Sequence, residues 1–171
     1  MHQAPDSVGR VHSVALNPNK GVPKLVQPLV TIGPMGVEGD YHAGPYNKHA
    51  SKPDPSKPNL RQLTVISKEV LDEMNASLGT RLKPGDLGEN VLLEGHGDLG
   101  RLRDGDLIAL GDNAVLRVTA QNDPCSKIGG SHPQLVKCLM GKRGVTAVVV
   151  STGVVRPGDP ARITQRQESR V

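Results

Sequence analysis

The chain has 171 residues and a formal net charge of +4 at pH 7, with 20 glycines, 14 prolines, no tryptophan and no phenylalanine. This length suits one domain, whose core must be aliphatic because aromatic residues make up only 1 % of the sequence. Nucleic acid is a poor fit as a partner, since basic clusters are not interleaved with the aromatic side chains on which bases stack.

The N-terminal sequence lacks the basic and apolar regions of a signal peptide, and no apolar run approaches the roughly 20 residues of a membrane helix. We therefore expect a cytoplasmic protein without a membrane segment. In a reducing compartment the two cysteines, Cys125 and Cys138, should remain free thiols. Neither has a second cysteine or histidine at zinc-finger spacing, so we do not expect a structural zinc site.

Short segments of apolar and β-branched residues, separated by glycine, proline and asparagine, predict strands along the N-terminal half. These strands are expected at 8–16, 26–32 and 60–66. Residues 36–44 have too little hydrophobic periodicity for a helix or a strand, and 45–58 predict a mobile surface loop rich in lysine, proline and serine. After the third strand, Ser67 is positioned to cap a short helix whose apolar face is Val70, Leu71 and Met74.

The C-terminal half is also predicted to consist mainly of short strands separated by turns. Strands are expected at 90–94, 107–110, 114–120, 144–151 and 161–164, with a helix at 133–140 and a final turn at 153–159. Closely spaced short strands with glycine and aspartate turns predict a mainly β fold, an antiparallel β-barrel with a few short helices. We expect one domain over 1–171, with its core at 8–164 and a polar C-terminal tail.

Four polar clusters stand out against the predicted strands. Asp40 and His42 combine an acid with an imidazole, which suits metal binding, substrate orientation or proton relay, although an aspartate-rich turn with a solvated histidine explains them as well. Arg61 offers a planar fork for phosphate or carboxylate, or a strand-edge ion pair. The remaining clusters are Glu89 with Asn90 beside two glycines, and Arg143 in a Lys-Arg turn of a kind common on surfaces.

Cys125 is the first candidate for chemistry. It follows a predicted strand that Pro124 terminates, and Ser126 and Lys127 come directly after it. A neighbouring cation lowers the pKa of a thiol, and the thiolate is the form that attacks electrophiles and binds metals. The competing interpretation is a free cysteine that acts as a small hydrophobic side chain.

Five segments, in this order along the chain, resemble the signature segments of the MOSC domain, the module named for the C-terminal part of molybdenum cofactor sulfurase. They are Glu38-Gly39-Asp40-Tyr41-His42-Ala43, Arg61-Gln62-Leu63-Thr64-Val65-Ile66-Ser67, Pro84-Gly85-Asp86-Leu87-Gly88-Glu89-Asn90, Pro124-Cys125-Ser126-Lys127 and Arg143-Gly144-Val145. The resemblance extends over about 8–161 and is closest to small stand-alone bacterial members of the family.

The resemblance implies a β-rich barrel and a cysteine, Cys125 by position, that either ligates the molybdenum of the molybdopterin cofactor or carries sulfur as a persulfide. Thiolate is a natural soft ligand for molybdenum, and the cofactor's phosphate needs cations. The cofactor-binding residues expected on this basis are Asp40, His42, Arg61, Glu89, Asn90, Lys127 and Arg143. Cys138 matches no family segment and is expected to be structural.

Three functions stay open at this point. The first is a molybdenum-dependent reduction of small N-hydroxylated substrates, with electrons from a separate reductase because the chain has no flavin or nicotinamide fingerprint. The second is a sulfur carrier loaded by a separate cysteine desulfurase, since no pyridoxal phosphate (PLP) domain is present. The third is a binding module without turnover. Oligomerisation is compatible with each of them.

Overall fold

The protein structure is a computed structural model that describes residues 7–48, 54–124 and 132–166. These ranges contain eleven strands and two helices. The strands are β1 Ser7–Leu16, β2 Leu25–Gln27, β3 Val30–Gly33, β4 Gly36–Val37, β5 Leu63–Ser67, β6 Val91–Glu94, β7 Leu107–Leu110, β8 Ala114–Gln121, β9 Val145–Ser151, β10 Gly153–Val155 and β11 Pro160–Thr164. The helices are α1 Lys68–Leu78 and α2 Leu135–Cys138. None of the described helices is long and apolar enough to span a bilayer.

Seven of these strands close into a barrel. Their order is β11-β7-β8-β9-β5-β6-β1, and β11 pairs back with β1 to complete the ring, while β2 adds to β1 at the side. All pairs in the ring are antiparallel except β5 with β6. A parallel pair needs a long crossover connection, and α1 supplies it. The predicted mainly β barrel with short helices is confirmed.

Aliphatic side chains fill the barrel, as the composition predicts. Burial alternates along β8, where Ala114, Leu116 and Val118 point inward. The parallel pair differs, because α1 and α2 cover its outer face and both faces of β6 are therefore buried. Ile66 and Leu92 belong to this second core, beneath the helices.

The first helix begins at the residue that the sequence predicts. The Ser67 hydroxyl accepts a 3.2 Å hydrogen bond from the Val70 N–H, and Val70, Leu71 and Met74 are buried. Gly79 ends the helix with a φ of 67°, a conformation that glycine adopts without strain. The second helix is shorter than the predicted 133–140, and Cys138 at its end is half-buried against the second core.

Three sequence predictions need correction. Residues 26–32 form two strands in different sheets, because Pro28 has no N–H to donate and breaks the ladder between them. The expected turn at 153–159 begins with strand β10, which pairs with β3. The pair Gly36–Val37, predicted to lie outside any strand, completes this three-stranded sheet as β4.

Candidate functional site

Polar and charged side chains are buried together where several connections of the barrel approach one another, a region that we call the rim. The loops that follow β1, precede β5 and precede β6 lie at one end of the strands, and the side chains of Arg61 and Arg143 link them to the segment after β8. The buried polar residues of this rim are Lys24, Asp40, Asn59, Glu89, Asn90, Asn122 and Arg143. Buried charges are costly unless they are paired, so each of them requires a partner.

A fully desolvated ion pair joins Lys24 to Asp40. The Lys24 Nζ lies 2.9 Å from Asp40 Oδ1 and 2.8 Å from Oδ2, with only 2 % and 0 % of the two side chains exposed. Burial alone would raise the pKa of Asp40, but contacts with His42 and Lys24 and the Asn17 N–H outweigh it and hold that pKa well below its usual range. Asp40 is therefore a fixed anion at the base of the rim.

His42 packs against this ion pair. Its Nδ1 lies 3.2 Å from Lys24 Nζ and 3.6 Å from Asp40 Oδ2, and its backbone N–H donates to Asp40 Oδ2 at 3.0 Å. The ring of Tyr41 meets the imidazole edge-on, with 5.4 Å between centroids. His42 is thus held by its neighbours on the polar side, which argues against the solvated histidine that the sequence left open.

Asn90 connects three segments through its amide. Its Oδ1 accepts from the Thr64 N–H at 3.1 Å and from Lys24 Nζ at 3.3 Å, and its Nδ2 donates to the Ala15 carbonyl at 3.1 Å. The residue has no exposed surface. Its donors and acceptors are used within the protein, which indicates a role in building the rim.

Glu89 is buried on the loop before β6. Both carboxylate oxygens lie 3.0 Å from the Gly85 N–H, and burial raises the pKa of Glu89 to about 7. Gly85 has a φ of 92°, and a Cβ there would lie 2.1 Å from the Lys24 carbonyl oxygen. The close backbone approach that the glycines predicted is therefore made to the protein's own Lys24 at this position.

Arg143 extends from the turn before β9 into the interior. Its Nη1 donates to the Asp123 carbonyl and its Nη2 to the Leu87 carbonyl, both at 2.9 Å. The side chain is 7 % exposed as a residue, and its buried Nε has no hydrogen-bond partner in the part of the chain that the structure describes. Arg143 is not the exposed Lys-Arg turn that the sequence allowed.

Arg61 contacts the same short segment from the other side. Its Nη2 donates to Asn122 Oδ1 at 2.9 Å, and its backbone N–H donates to Asn59 Oδ1 at 2.9 Å. The Asn59 amide in turn donates to the His42 carbonyl at 2.8 Å. A hydrogen-bonded path therefore leads from His42 through Asn59 and Arg61 to Asn122.

Two arginines thus bind the segment directly ahead of the candidate cysteine, one at a side chain and one at the backbone. Arg61 binds Asn122 and Arg143 binds Asp123, and Cys125 follows two positions later in the sequence. Cys125 and Lys127 lie outside the described residues, so their place at this rim stays a prediction. Among the residues that are described, no group of three or more metal-binding side chains comes together.

The described ends of the predicted loop 45–58 are fixed beside the same rim. Tyr46 bridges to Pro58, and the Asn59 N–H donates to the Pro45 carbonyl at 3.1 Å. Lys48 lies over the Tyr41 ring, 5.3 Å from its centroid. Residues 49–53 are outside the described ranges, so the predicted mobility of this loop is not tested.

Sequence reasoning missed Lys24, the cation at the centre of the rim. It stands alone between Pro23 and Leu25, without a motif around it. Its role depends on Asp40 and Asn90, which are 16 and 66 positions away. No local pattern could have indicated that this lysine is buried.

Fold and site together define a closed β-barrel domain whose rim carries buried charges and two arginines that bind Asn122 and Asp123. The MOSC domain family matches residues 38–162, and the chain belongs to that family. The "Putative metal-sulfur cluster biosynthesis proteins YuaD" of Bacillus subtilis is 32 % identical over 150 residues, which cover 77 % of this chain and 78 % of the relative.

Solved structures agree on the fold. The crystal structure of YuaD from Bacillus subtilis superposes with a TM-score of 0.85 at 24 % identity, covering 95 % of this chain and 99 % of that one. YiiM from Geobacillus stearothermophilus reaches 0.67 at 22 % identity, covering 96 % and 78 %. The same barrel is therefore built from divergent sequences.

Proposed function

We propose that this chain is a sulfur-handling protein in which Cys125 accepts a sulfane sulfur as a persulfide and passes it on for metal–sulfur cofactor assembly. The supporting observation is the buried Arg143 guanidinium. It binds the backbone at Asp123, close in sequence to Cys125, and its Nε is without a hydrogen-bond partner among the described residues. An unpaired buried donor on a cation favours an anion as its ligand.

This environment suits a thiolate or a persulfide. Arg143 keeps its positive charge at any physiological pH, and Arg61 adds a second cation at Asn122. Cations near a thiol lower its pKa and increase the thiolate fraction, and only the thiolate attacks sulfur. The arrangement therefore supports nucleophilic attack by Cys125 without a separate base.

The transfer step balances without an external oxidant. The Cys125 thiolate attacks the outer sulfur of a donor persulfide, a new S–S bond forms at Cys125, and the S–S bond of the donor breaks. The donor thiol leaves as a thiolate, so one anion is consumed and one is produced. A separate cysteine desulfurase is the class of partner that would supply such a persulfide. The name of the YuaD relative, with its reference to metal–sulfur cluster biosynthesis, is consistent with this role.

Sulfur loading tests the proposal directly. The full chain is incubated with glutathione persulfide, and mass spectrometry and cyanolysis then measure the added sulfur. We expect one sulfur atom on Cys125, complete loss of loading in Cys125→Ser, and normal loading in the matched variant Cys138→Ser, whose residue lies on α2 against the second core. Full loading of Cys125→Ser would contradict the proposal.

A second candidate is a molybdenum-cofactor protein that reduces N-hydroxylated compounds with electrons from a separate reductase. Arg61 and Arg143 fit the phosphate of such a cofactor, because two guanidinium groups approach one segment and one of them has the unpaired Nε. Cys125 would supply the thiolate ligand, and the bound metal would supply the redox chemistry. Asp40, His42, Glu89 and Asn90 would shape the rim around it.

Metal analysis separates the two candidates. Protein purified from a host that makes the cofactor should contain stoichiometric molybdenum and pterin if the second candidate is correct. Protein without molybdenum that still loads sulfur on Cys125 would favour the sulfur carrier. The same preparation of the wild-type chain serves both measurements.

A further inference from the structure

We infer that the Arg143 guanidinium is the binding site for a small inorganic oxyanion, and that thiosulfate is the sulfur donor bound there. The first statement stands on the contacts of Arg143 alone. The second rests on the proposed function, because it needs Cys125 as the group that accepts the sulfur.

Arg143 carries a buried positive charge without a counter-ion. Its two terminal nitrogens donate to neutral backbone carbonyls, those of Asp123 and Leu87. Among the described residues, no carboxylate forms an ion pair with Arg143. Lys24, a second buried cation of the rim, is by contrast neutralised by Asp40. A buried charge without a partner is costly, and an anion bound beside it would offset that cost.

The guanidinium also has donors left for a ligand. An arginine presents five N–H donors in a planar fork that matches the oxygens of an oxyanion. The Asp123 and Leu87 carbonyls use two of these donors, and the buried Nε has no hydrogen-bond partner in the described ranges. An oxyanion at Nε would satisfy this donor and the charge together.

The burial of Arg143 limits this ligand to a small ion. Only 7 % of the residue is exposed, so a peptide or a long side chain finds little of its surface to contact. Asp123, whose carbonyl binds Nη1, is itself exposed, which places the guanidinium one hydrogen bond below the surface of the protein. A small inorganic anion is the ligand that matches this depth.

Thiosulfate is an oxyanion that also carries a transferable sulfur. Its sulfonate oxygens suit the N–H donors of a guanidinium, and its outer sulfur is a sulfane sulfur like that of a persulfide. Sulfate and phosphate offer the same kind of oxygens, but neither has a sulfur that a thiolate can remove. In a protein that handles sulfur, the anion site therefore points to thiosulfate.

The sequence keeps Cys125 close to this anion site. Two residues of extended chain span about 7 Å, so the backbone of Cys125 stays within that reach of Asp123 in any conformation of the segment. Arg143 Nη1 is 2.9 Å from the carbonyl oxygen of Asp123. The covalent chain thus allows a thiol at position 125 to meet an anion held by Arg143.

The transfer from thiosulfate balances in atoms and in charge. The Cys125 thiolate attacks the outer sulfur, the S–S bond of thiosulfate breaks, and sulfite leaves with the electron pair of that bond. A monoanion and a dianion react to give the persulfide monoanion and the sulfite dianion, so no oxidant, reductant or proton is required. The two reacting anions repel each other, and the Arg143 cation offsets this repulsion.

Calorimetry with sodium sulfate and sodium thiosulfate tests the anion site without any reaction, in Cys125→Ser at constant ionic strength. We expect both anions to bind, and to bind about tenfold or more weakly when Arg143→Lys is added, because lysine keeps the charge and lacks Nε. Arg156→Lys, a change of an exposed arginine, should leave the affinity unchanged. Absence of binding, or equal binding in the folded Arg143→Lys protein, would overturn the inference.

A second measurement does not depend on the folding of an Arg143 variant. In NMR spectra of Cys125→Ser, the Nε–H signal of Arg143 should shift as thiosulfate is added, and sodium chloride at the same ionic strength should leave it in place. If thiosulfate binds while this signal stays unchanged, the anion binds elsewhere and the inference is wrong.

Sulfur transfer tests thiosulfate as the donor. The wild-type chain is incubated with thiosulfate, the released sulfite is measured, and cyanide then removes the sulfur from Cys125 as thiocyanate. We expect one sulfite for each sulfur loaded, and a loss of rate of about tenfold or more in Arg143→Lys. Loading from glutathione persulfide but not from thiosulfate would refute thiosulfate as the donor, and the proposed function would stand. If neither donor loads Cys125 although sulfate binds at Arg143, the proposed function fails and the anion site stands.

Discussion

At the scale of single residues, the buried charges of the rim are bound within the protein, with Lys24 paired to Asp40 and Arg143 donating to two backbone carbonyls. Asp40, Asn90 and Arg143 are buried at the rim, yet most of their hydrogen bonds go to the protein itself. Local sequence shows the chemistry of a side chain, while its partners depend on segments that only the fold brings together. Lys24 was missed for that reason, although it is as deeply buried as the residues that were found.

The raised pKa of Glu89 predicts how the stability of the protein depends on pH. Its pKa is about 7 in the folded chain against 4.5 for an ordinary glutamate, so the native state keeps a proton that the unfolded state loses between these values. Stability should therefore fall as the pH rises from 4.5 to 7, by about 3 kcal/mol from this group. Glu89→Gln should remove this part of the pH dependence in urea unfolding measured at pH 5 and pH 8.

The matched control for Glu89 is Glu38→Gln, which changes an exposed glutamate near the same rim. Its unfolding curves should follow the wild-type pH dependence. If the stability of Glu89→Gln depended on pH in the same way as that of the wild type, the Glu89 carboxyl of the wild type would have to be charged in the native state. The Gly85 N–H and the nearby cations would then stabilise that charge.

At the scale of elements, strong local signals gave correct predictions. The capped helix α1 was predicted from Ser67 and its apolar face, and strands β7 and β8 lie close to the predicted 107–110 and 114–120. Residues 26–32 were predicted as one strand because apolar residues lie on both sides of Pro28. In the structure, the residues before Pro28 and those after it form hydrogen bonds in different sheets. Strand β10 was missed because it has only three residues, the first of them a glycine, and so short a segment shows almost no periodicity.

Gly144 lies between Arg143 and the first residue of strand β9, and its position leads to a prediction about stability. Its φ is 78°, and a Cβ would lie 2.0 Å from the Val65 carbonyl oxygen on β5. Gly144→Ala should destabilise the protein by about 2 kcal/mol or more, because strain and a backbone collision add. It should also slow sulfur loading, since Arg143 would be displaced.

Gly141→Ala provides the comparison in the same turn region. Gly141 has a φ of 74° but open space around its Cβ position, so this change carries the conformational strain without the collision. Chemical unfolding of both variants should show the larger loss for Gly144→Ala. Equal losses would mean that β5 and β9 are not packed as closely at Gly144 as the structure shows.

At the scale of the whole molecule, barrel closure brings the site together. Sequence patterns predicted a barrel, but not the strand order, nor that β5 and β6 run parallel with α1 as their crossover. Pairing partners such as β1 and β11 are separated by almost the full chain, and pairing over that distance leaves no local signature. The convergence of Arg61 and Arg143 on one segment is a product of this closure.

That convergence can be measured as an energetic coupling. Arg61 and Arg143 are 82 positions apart, and each makes one hydrogen bond to the pair Asn122 and Asp123. If both arginines position the same segment ahead of Cys125, then the effects of Arg61→Met and Arg143→Met on the loading rate should not be additive. We expect a coupling of about 0.5–3 kcal/mol in the activation free energy of persulfide loading.

The coupling is obtained from a double-mutant cycle, which compares the loading rates of the wild type, the two single variants and the double variant. Chemical unfolding measures the folded fraction of each protein. Arg143→Met should be the more damaging change, because it leaves the Leu87 and Asp123 carbonyls without their donors. Arg156→Met, on the turn before β11, removes an exposed arginine and should leave loading unchanged. Strict additivity of the two rim variants would show that the arginines act on separate parts of the chain, and the shared anion site would have to be abandoned.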